Sequence, residues 1–229
     1  MMQAIILAGG KGTRLYPYTA VFPKPLVPLG DKPIMEIVIR QLKTAGFEDI
    51  LISVGHMATL IQAYFGDGSK FGVKIEYVLE DTPMDTAGAL RLIKKLDENF
   101  LVINGDVLTT LNYRKMLDFH MAHKATATVG VIRREEKIDY GVITTDQQGR
   151  LVGYIEKPKY DFLVSMGINI LTKKAVSHIV WGESISMPEL INRLVKNNER
   201  VYCFSDNCEW LDIGRPSDYD KAQNVGWYG

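Results

Sequence analysis

Ala4-Ile5-Ile6-Leu7-Ala8-Gly9-Gly10 opens the chain after its first three residues. A short apolar run that shows no polar alternation and is ended by glycines is typical of a strand buried on both faces. Residues 4–7 are therefore predicted to form the first strand of the fold. The glycines are predicted to form the turn that leaves its carboxyl end.

The segments after this strand alternate between helix and strand patterns. Asp31 precedes Pro33, and apolar residues then recur at helical spacing until Gly46, which predicts a capped helix. Strands are predicted at residues 50–54, 73–79 and 100–103, with helices at residues 58–65 and 87–96 between them. This βαβαβαβ order is typical of a largely parallel sheet covered by helices, in which ligands bind beyond the carboxyl ends of the strands.

In the second half of the chain, the predicted strands and helices no longer alternate regularly. Strands are predicted at residues 126–132, 141–144, 151–156, 166–171 and 201–204, and helices at residues 174–180 and 188–196. The turn-forming residues 146–149 predict a hairpin between two of these strands. We expect the second half to extend the same sheet and to supply a second wall of one cleft. The fold class is thus α/β: a Rossmann-like, mixed but mostly parallel central sheet with helices on both faces, in one domain spanning residues 1–229.

Composition excludes several classes of partner. Among 229 residues, 27 basic and 27 acidic side chains cancel, and the pI is near 6.9. A nucleic-acid binder or a membrane-surface protein needs an excess of positive charge, so neither partner is expected. No apolar run reaches the ~18 residues of a membrane span. No signal peptide is expected, because the first residues carry no charged n-region and their apolar run is too short. Cys203 and Cys208 have no neighbouring ligands for zinc, and we expect a cytoplasmic protein with reduced thiols.

The residues that follow the first strand form a glycine-rich loop, residues 7–15, that contains Arg14. Glycine backbone can wrap phosphate oxygens with its N–H groups, and Arg14 and Lys24 would add positive charge. The loop is neither a dinucleotide fingerprint, because Leu15 replaces the third glycine, nor a Walker A loop. A tight strand-to-helix turn with surface cations is the structural alternative.

Two aspartates follow apolar runs. Asp106 comes shortly after the strand predicted at residues 100–103, and Asp212 follows Trp210-Leu211. Mg²⁺ prefers few protein carboxylates together with phosphate oxygens and water, so two aspartates facing a triphosphate would suit it. Strand-end aspartates are also common turn and cap residues, and the residues alone leave both roles open.

The order of short motifs resembles that of the sugar-1-phosphate nucleotidyltransferases, also called nucleotide-sugar pyrophosphorylases. Within this family the chain is most similar to mannose-1-phosphate guanylyltransferase-like members without a carboxyl-terminal β-helix, because it ends 17 residues after Asp212. The matching blocks span essentially the whole chain: residues 10–14 with Pro23-Lys24, 26–33, Asn104-Gly105-Asp106, Tyr140-Gly141-Val142, Glu156-Lys157-Pro158, Met166-Gly167-Ile168 and 210–214.

The resemblance implies an activity and a set of site residues. A sugar 1-phosphate and a nucleoside triphosphate would give a nucleotide sugar and pyrophosphate, with Mg²⁺ held by Asp106 and Asp212. Residues 1–110 would be the nucleotide-binding half and residues 111–229 the sugar-phosphate-binding half. Catalytic roles fall to Arg14, Lys24, Asp106, Asp212 and Lys157. Nucleotide contacts fall to Leu7, Ala8, Gly9, Gly10, Gly12, Thr13, Glu80, Asp85, Thr86 and Gly88. Sugar contacts fall to Tyr140, Gly141, Glu156, Lys157, Met166 and Gly167.

The segment of residues 80–90 bears on the choice of base. It resembles the Gly-Thr-Ala-Gly-Ala-Leu block of guanylyl-transferring members, with Asp85 in place of the usual first glycine. A carboxylate there can accept from guanine N1–H and its amino group, but also from the amino group of cytosine. GTP is therefore favoured, and CTP, UTP and dTTP remain alternatives.

Two other functions share some of these features. Cytidylyl transfer to a polyol or aminoalcohol phosphate would keep the loop and the aspartates but would not need an anomeric phosphate. A pseudo-enzyme that senses nucleotide sugars would be expected to have lost Arg14, Lys24, Asp106 or Asp212, and all four are present. An enzyme acting on an NTP and a sugar 1-phosphate is thus the expectation, and it allows a homodimer.

Overall fold

A computed structural model describes residues 2–10 and 12–223. Within these residues the strands and helices, labelled in chain order, have the following bounds. The strands are β1 (Met2–Ala8), β2 (Pro28–Leu29), β3 (Lys32–Pro33), β4 (Phe47–Val54), β5 (Lys74–Leu79), β6 (Asn99–Asn104), β7 (Val107–Thr109), β8 (Ala127–Lys137), β9 (Val142–Thr145), β10 (Leu151–Ile155), β11 (Lys159–Thr172), β12 (Val201–Phe204) and β13 (Trp210–Asp212). The helices are α1 (Ile34–Thr44), α2 (Ala58–Phe65), α3 (Asp85–Gly88), α4 (Tyr113–Ala122), α5 (Lys173–Ser177), α6 (Met187–Lys196) and α7 (Pro216–Gln223).

A seven-stranded sheet in the order β12-β8-β11-β6-β1-β4-β5 forms the centre of the molecule. All neighbouring pairs are parallel except those of β11, which runs antiparallel to both β6 and β8. The chain moves outward from β1 on one side through β4 and β5, and then returns to place β6 on the other side. Ligand crevices form at such a switch point, outside the carboxyl ends of the strands.

β1 is buried on both faces, as its sequence predicts. Ile5 and Ile6 are both fully buried, and they belong to two different apolar cores. One core packs with α1, α2 and α4, and the other with α5 and α6. The mostly parallel α/β sheet with helices on both faces and the single domain are thereby confirmed.

The helix predicted at residues 87–96 is wrong in its extent. Only α3 and a 3-10 turn, Ala89–Leu92, form in this region. The N–H groups of Ala87 and Gly88 donate to the carbonyl of Ile185. Further on, the Gln3 side chain binds the Lys95 carbonyl and the Asp97 N–H. These long-range bonds compete with the helical pattern of the segment, and its sequence does not reveal them.

Two strands are longer than predicted. β8 continues to Lys137, and β11 begins at Lys159 rather than near Met166. Their outer ends pair with each other and leave the sheet as a two-stranded ribbon. The hairpin β9–β10 forms as predicted, and Asp146 stabilises its turn by accepting from two backbone N–H groups. Rather than extending the central sheet, this hairpin forms a separate two-stranded sheet.

Helices long and apolar enough to cross a membrane are not found among the described residues.

Candidate active site

The glycine loop leaves the carboxyl end of β1 at the centre of the sheet. Gly12 has a left-handed backbone with φ of 63°, and a Cβ there would lie 2.9 Å from Cβ of Lys24. Only glycine can adopt this left-handed backbone and also leave room for the Lys24 side chain without strain. The loop and the segment carrying Lys24 are therefore packed directly against each other. Lys11, part of the loop motif, lies outside the described residues.

A small strand pair brings together the two aspartates. β7 pairs antiparallel with β13, and the N–H of Ile213 donates to the carbonyl of Asp106 over 3.1 Å. The Asp106 carboxylate forms an ion pair with Lys24. Two carboxylates that are distant in sequence thus lie side by side at the end of β6, next to a lysine from the first loop.

The surroundings of Asp212 disfavour the negatively charged form of its carboxyl group. Burial, and then the neighbouring charge of Asp106, raises the pKa of Asp212, while Lys24 and Arg14 act in the opposite direction. Its Oδ1 atom is buried without a hydrogen-bond partner among the described residues. A buried, unsatisfied acceptor beside a second carboxylate is the arrangement that a cation would compensate.

A cavity of about 360 Å³ lies in front of these strand ends. All of the predicted nucleotide-binding residues line it except Gly88, and Arg14, Lys24 and Asp106 line it as well. The sequence analysis assigned no role to five further lining residues, although three of them stand in motifs that it quoted. They are Pro25, Pro83, Asn104, Gly105 and Gly214. Asn104 ends β6 and Gly105 directly follows it, and that position was the available signal.

The segment of residues 80–88 forms one wall of this cavity, and its side chains already have internal partners. Glu80 accepts from the Ser53 hydroxyl over 2.5 Å and from the Met84 N–H over 3.3 Å. Asp85 has a left-handed backbone with φ of 60°, a conformation that glycine adopts without strain. The Thr86 hydroxyl accepts from the N–H of Met187 in α6.

Gly88 has a packing role instead. A Cβ on Gly88 would lie 2.6 Å from the carbonyl oxygen of Glu183, which belongs to the segment before α6. The glycine therefore permits close approach of two backbone segments behind the cavity wall, and it is fully buried.

A second, larger cavity of about 720 Å³ adjoins the first, since Arg14 and Gly214 line both. Asp212 lies on its wall. Four further cationic residues come from the end of β8 and from the region of α7: Arg133, Arg134, Arg215 and Lys221. The sequence analysis missed these four. The joined cavities thus surround the two aspartates with positive charge, which suits phosphate-bearing ligands.

The predicted sugar-binding residues divide into two groups. Tyr140, Glu156 and Lys157 are exposed at the ends of β9 and β10, and they line neither cavity. Tyr154 closes over Gly141 and donates a hydrogen bond to Glu156. Lys157 has a left-handed backbone with φ of 46°.

Met166 and Gly167 belong to the central sheet. The Met166 side chain is fully buried in the core, and its carbonyl accepts from Nε1 of Trp210. Its side chain is therefore a packing element, and only the backbone of this residue is close to the site. A Cβ on Gly167 would lie 2.6 Å from the side-chain nitrogen Nδ2 of Asn104.

Comparisons with known proteins agree with this geometry. The D-glycero-alpha-D-manno-heptose 1-phosphate guanylyltransferase of Aneurinibacillus thermoaerophilus is 31% identical over 225 residues, which cover 97% of each chain. The UTP–glucose-1-phosphate uridylyltransferase of Synechocystis is 34% identical, over 96% of this chain and 62% of that protein. The mannose-1-phosphate guanylyltransferase of Mycobacterium tuberculosis is 31% identical, over 96% of this chain and 63% of that protein. The chain thus spans about three fifths of the length of these last two relatives.

Solved structures share the fold over the whole described chain. HddC from Yersinia pseudotuberculosis, complexed with GMP-PN, matches with a TM-score of 0.75 and 26% identity, covering 98% of this chain and 99% of that chain. A putative glucose-1-phosphate thymidylyltransferase from Bacillus anthracis matches with a TM-score of 0.78 and 25% identity, covering 100% and 98%. The family model described as nucleotidyl transferase matches residues 3–225. The chain therefore belongs to the nucleotidyl transferase family.

Proposed function

We propose that this protein transfers a nucleotidyl group from an NTP, preferably GTP, to a sugar 1-phosphate, releasing pyrophosphate and forming an NDP-sugar. The observation that carries the proposal is the placement of Asp106 and Asp212 between the glycine loop and a cation-lined cavity. Relatives named as guanylyltransferases and as a uridylyltransferase for sugar 1-phosphates support it.

The chemistry needs no general base. A phosphate whose second pKa is about 6 is already largely dianionic at neutral pH. Its oxygen attacks the α-phosphorus, a new P–O bond forms, and the bond to the leaving pyrophosphate breaks. Because two anions must approach each other, the protein contributes alignment and charge neutralisation. We assign Arg14 and Lys24 to the triphosphate and Lys157 to the sugar phosphate.

The residues present fit a divalent cation. Mg²⁺ takes few protein ligands and completes its shell with phosphate oxygens and water, so two carboxylates beside a phosphate-binding cavity would suit it. Asp106 and Asp212 would hold it, and the unpartnered Oδ1 of Asp212 is the free acceptor. Mg²⁺ bound there would supply charge neutralisation on the phosphates.

For the base we propose that guanine lies against residues 80–86. Both oxygens of Glu80 already accept internal hydrogen bonds, whereas in Asp85 it is Oδ1 that accepts one, from the Thr86 N–H over 2.6 Å. With Oδ2 and an exposed position on the cavity wall, Asp85 is the more available carboxylate. A site built to pair with polar edges rejects a base that lacks them. ATP should be disfavoured in kcat/KM by about 3 kcal/mol, from about 1 to 3 kcal/mol for each lost charge-assisted bond.

The two free cysteines, Cys203 and Cys208, suit a reducing compartment, and we propose the cytoplasm as the site of action.

The test is a pyrophosphate-release screen of GTP, CTP, UTP, dTTP and ATP against mannose, glucose and heptose 1-phosphates. We expect GTP to give the highest kcat/KM and excess EDTA to abolish release. If UTP, CTP or dTTP works at least tenfold better than GTP, the base assignment is wrong but nucleotidyl transfer stands. If no combination of NTP and sugar 1-phosphate releases pyrophosphate, the proposed function is wrong.

A second experiment tests the sugar side. Lys157→Ala should raise KM for the sugar 1-phosphate while calorimetric NTP affinity stays nearly unchanged. The exposed Lys173→Ala variant, on α5, serves as the matched control. Equal loss of NTP affinity in Lys157→Ala would move this residue to the nucleotide side.

A further inference from the structure

The larger cavity, of about 720 Å³, carries more positive than negative charge on its wall. Five cationic side chains line it, against the carboxylates of Asp212 and Asp218. Two of the five, at the outer end of β8, already form ion pairs with carboxylates of β8 and β11. Within residues 2–10 and 12–223, the other three have no ion-pair partner: Arg14, Arg215 and Lys221. Cations that face one cavity without a partner attract an anion to it.

The Arg14 side chain connects this cavity to the nucleotide side, since it lines both cavities. A Cβ added to Gly214 would lie 3.9 Å from Nη1 of Arg14 and 3.6 Å from Oδ1 of Asp212. The guanidinium thus lies near the aspartate to which we assign the cation. The chain turns at this point, because the N–H of Gly214 donates to the carbonyl of Asp212 over 2.8 Å. Arg215 follows the turn and extends the positive charge of Arg14 along the larger cavity.

Helix α7 presents the remaining cation to the same cavity. Ser217, Asp218 and Lys221 have the i, i+3 and i+4 spacing of one helix face, and all three line the cavity. Another side of the helix is fixed by Tyr219, which is buried and whose hydroxyl donates to the carbonyl of Pro28 over 2.6 Å. The face that carries Lys221 is therefore held toward the cavity.

The residues assigned to the sugar 1-phosphate lie elsewhere. Tyr140, Glu156 and Lys157, at the ends of β9 and β10, line neither cavity. In an in-line displacement the attacking and the leaving oxygens lie on opposite sides of the phosphorus. A cavity that continues from Arg14 and lacks the acceptor residues therefore faces the leaving group.

We propose that Arg215 and Lys221 bind the terminal phosphate of the NTP and then the pyrophosphate that leaves, so that the larger cavity is a pyrophosphate site. This inference deepens the proposed function and rests on it. As the sugar phosphate oxygen bonds to the α-phosphorus, the bond from that phosphorus to the bridging oxygen breaks, and its electron pair leaves with the pyrophosphate. Positive side chains beside this developing charge stabilise the transition state.

The test measures the affinity for inorganic pyrophosphate by calorimetry, without nucleotide or sugar, once in Mg²⁺ and once in EDTA. We expect the Arg215→Ala, Lys221→Ala double variant to bind at least about tenfold more weakly, because two charge-assisted contacts are lost. Arg215→Lys keeps the charge and should recover most of the affinity. Lys196→Ala is the matched control, since Lys196 is exposed on α6 and lines neither cavity. It should bind pyrophosphate as wild type does.

Kinetics separate the leaving group from the acceptor. In the reverse reaction, run with nucleotide sugar and pyrophosphate, the double variant should raise KM for pyrophosphate and leave KM for the nucleotide sugar nearly unchanged. In the forward reaction, KM for the sugar 1-phosphate should also stay unchanged. A higher KM for the sugar 1-phosphate, with wild-type pyrophosphate affinity, would instead assign the cavity to the acceptor and overturn the proposal.

Two binding results also overturn it: wild type that does not bind pyrophosphate, and a folded double variant that binds it as tightly as wild type. Both side chains are exposed, so we expect the variants to fold; if the double variant does not, Lys221→Gln alone decides by the same measurements. Because pyrophosphate binding is read without turnover, a failure of the proposed function, seen as no release with any substrate pair, is distinguishable from a failure of this site.

Discussion

Asp212 shows how one residue can serve a site at the expense of the fold. A carboxyl group whose pKa is raised on folding weakens the folded state at every pH above its unfolded pKa, because the charged form is better solvated in the unfolded chain. Burial and Asp106 raise the pKa of Asp212. At neutral pH, therefore, the negative charge of Asp212, to which we assign a cation, lowers the stability of the cation-free protein.

We accordingly predict opposite effects of Asp212→Asn on stability and on activity. The variant should melt at a higher temperature than wild type in EDTA at pH 7, and its turnover should fall about a hundredfold, the order expected for loss of a main electrostatic stabiliser. Differential scanning fluorimetry and pyrophosphate release measure the two effects. Asp118→Asn, at an exposed position on α4, should change neither. A lower melting temperature in EDTA for Asp212→Asn would contradict the assignment.

His120 is a second buried ionisable residue, remote from the strand ends that carry the site. It lies on α4, is 1% exposed, and its ring nitrogens contact Thr128 and Asn99. Burial lowers its pKa from 6.5 to about 4. Its ring is neutral at pH 7, as expected of a histidine used for packing and hydrogen bonding.

The shift of His120 predicts an acid-labile fold. Below pH 6.5 His120 is protonated in the unfolded chain, but in the folded chain it stays neutral down to about pH 4. The stability of the fold is therefore full above pH 6.5 and falls as the pH is lowered from 6.5 to about 4. The loss at pH 5 should be about 2 kcal/mol. Urea unfolding at pH 7 and pH 5 measures it. His120→Asn should flatten this dependence and the exposed His123→Asn should not; equal slopes in all three proteins would exclude His120 as the cause.

At the scale of elements, the cavity wall formed by residues 80–88 is attached to α6. Thr86 binds the first N–H of that helix, and the segment before it lies against Gly88. α6 itself begins with a capping box formed by Ser186 and Glu189. The position of the cavity wall therefore depends on a helix that begins about a hundred residues later in the chain.

Gly88→Ala tests this attachment. The added Cβ would lie 2.6 Å from the Glu183 carbonyl oxygen. Because this neighbour is backbone, the clash can be relieved only if the cavity wall moves. We therefore expect a loss of about 1 to 3 kcal/mol in stability and weaker NTP binding by calorimetry. Gly153→Ala is the matched control, because its nearest neighbour would be at an ordinary 3.7 Å. Unchanged NTP affinity in Gly88→Ala would show that the wall does not depend on this contact.

Sequence reasoning located elements where local pattern and tertiary structure agree. β1 and α2 have the expected positions because apolar pattern and burial coincide there. β12 also has the expected bounds, although its residues are only partly buried or exposed. The segment after Gly88 departs from its helical pattern because Gln3 and Ile185 hold its backbone. The outer ends of β8 and β11 carry charged and apolar side chains without burial, so no periodic signal marks them.

The same distinction applies to the site. Residues of the glycine loop and the first aspartate follow strand ends in sequence, so topology alone predicts that they meet. Arg133 and Lys221 reach the second cavity from elements whose packing no local pattern encodes. The relation of Lys157 to the cavities depends on where the hairpin β9–β10 and the outer end of β11 lie, which sequence does not specify.

At the scale of the whole molecule, the two halves share one sheet. β11 from the second half lies between β6 of the first half and β8 of the second, and it pairs with both along its inner length. The larger core contains residues from both halves, from Ala4 to Ala222. Neither half can complete its core without the other.

We therefore predict a single cooperative unfolding transition. Calorimetry should give one peak whose calorimetric and van't Hoff enthalpies agree, and nucleotide should shift the whole peak upward because it binds only the folded state. Two separate peaks, with nucleotide moving one of them, would instead mean that the nucleotide-binding and sugar-phosphate-binding halves unfold independently.

The pairing of β7 with β13 also constrains when the protein can become competent during its synthesis. A ribosome releases the chain from its amino terminus, so the glycine loop and Asp106 emerge early, whereas Asp212 follows 106 residues later. A nascent chain thus contains the glycine loop and Asp106 well before Asp212 has been added. Any chain that ends before residue 212, by a premature stop or by cleavage, keeps the glycine loop and Asp106 but lacks the second of the two aspartates to which we assign the cation.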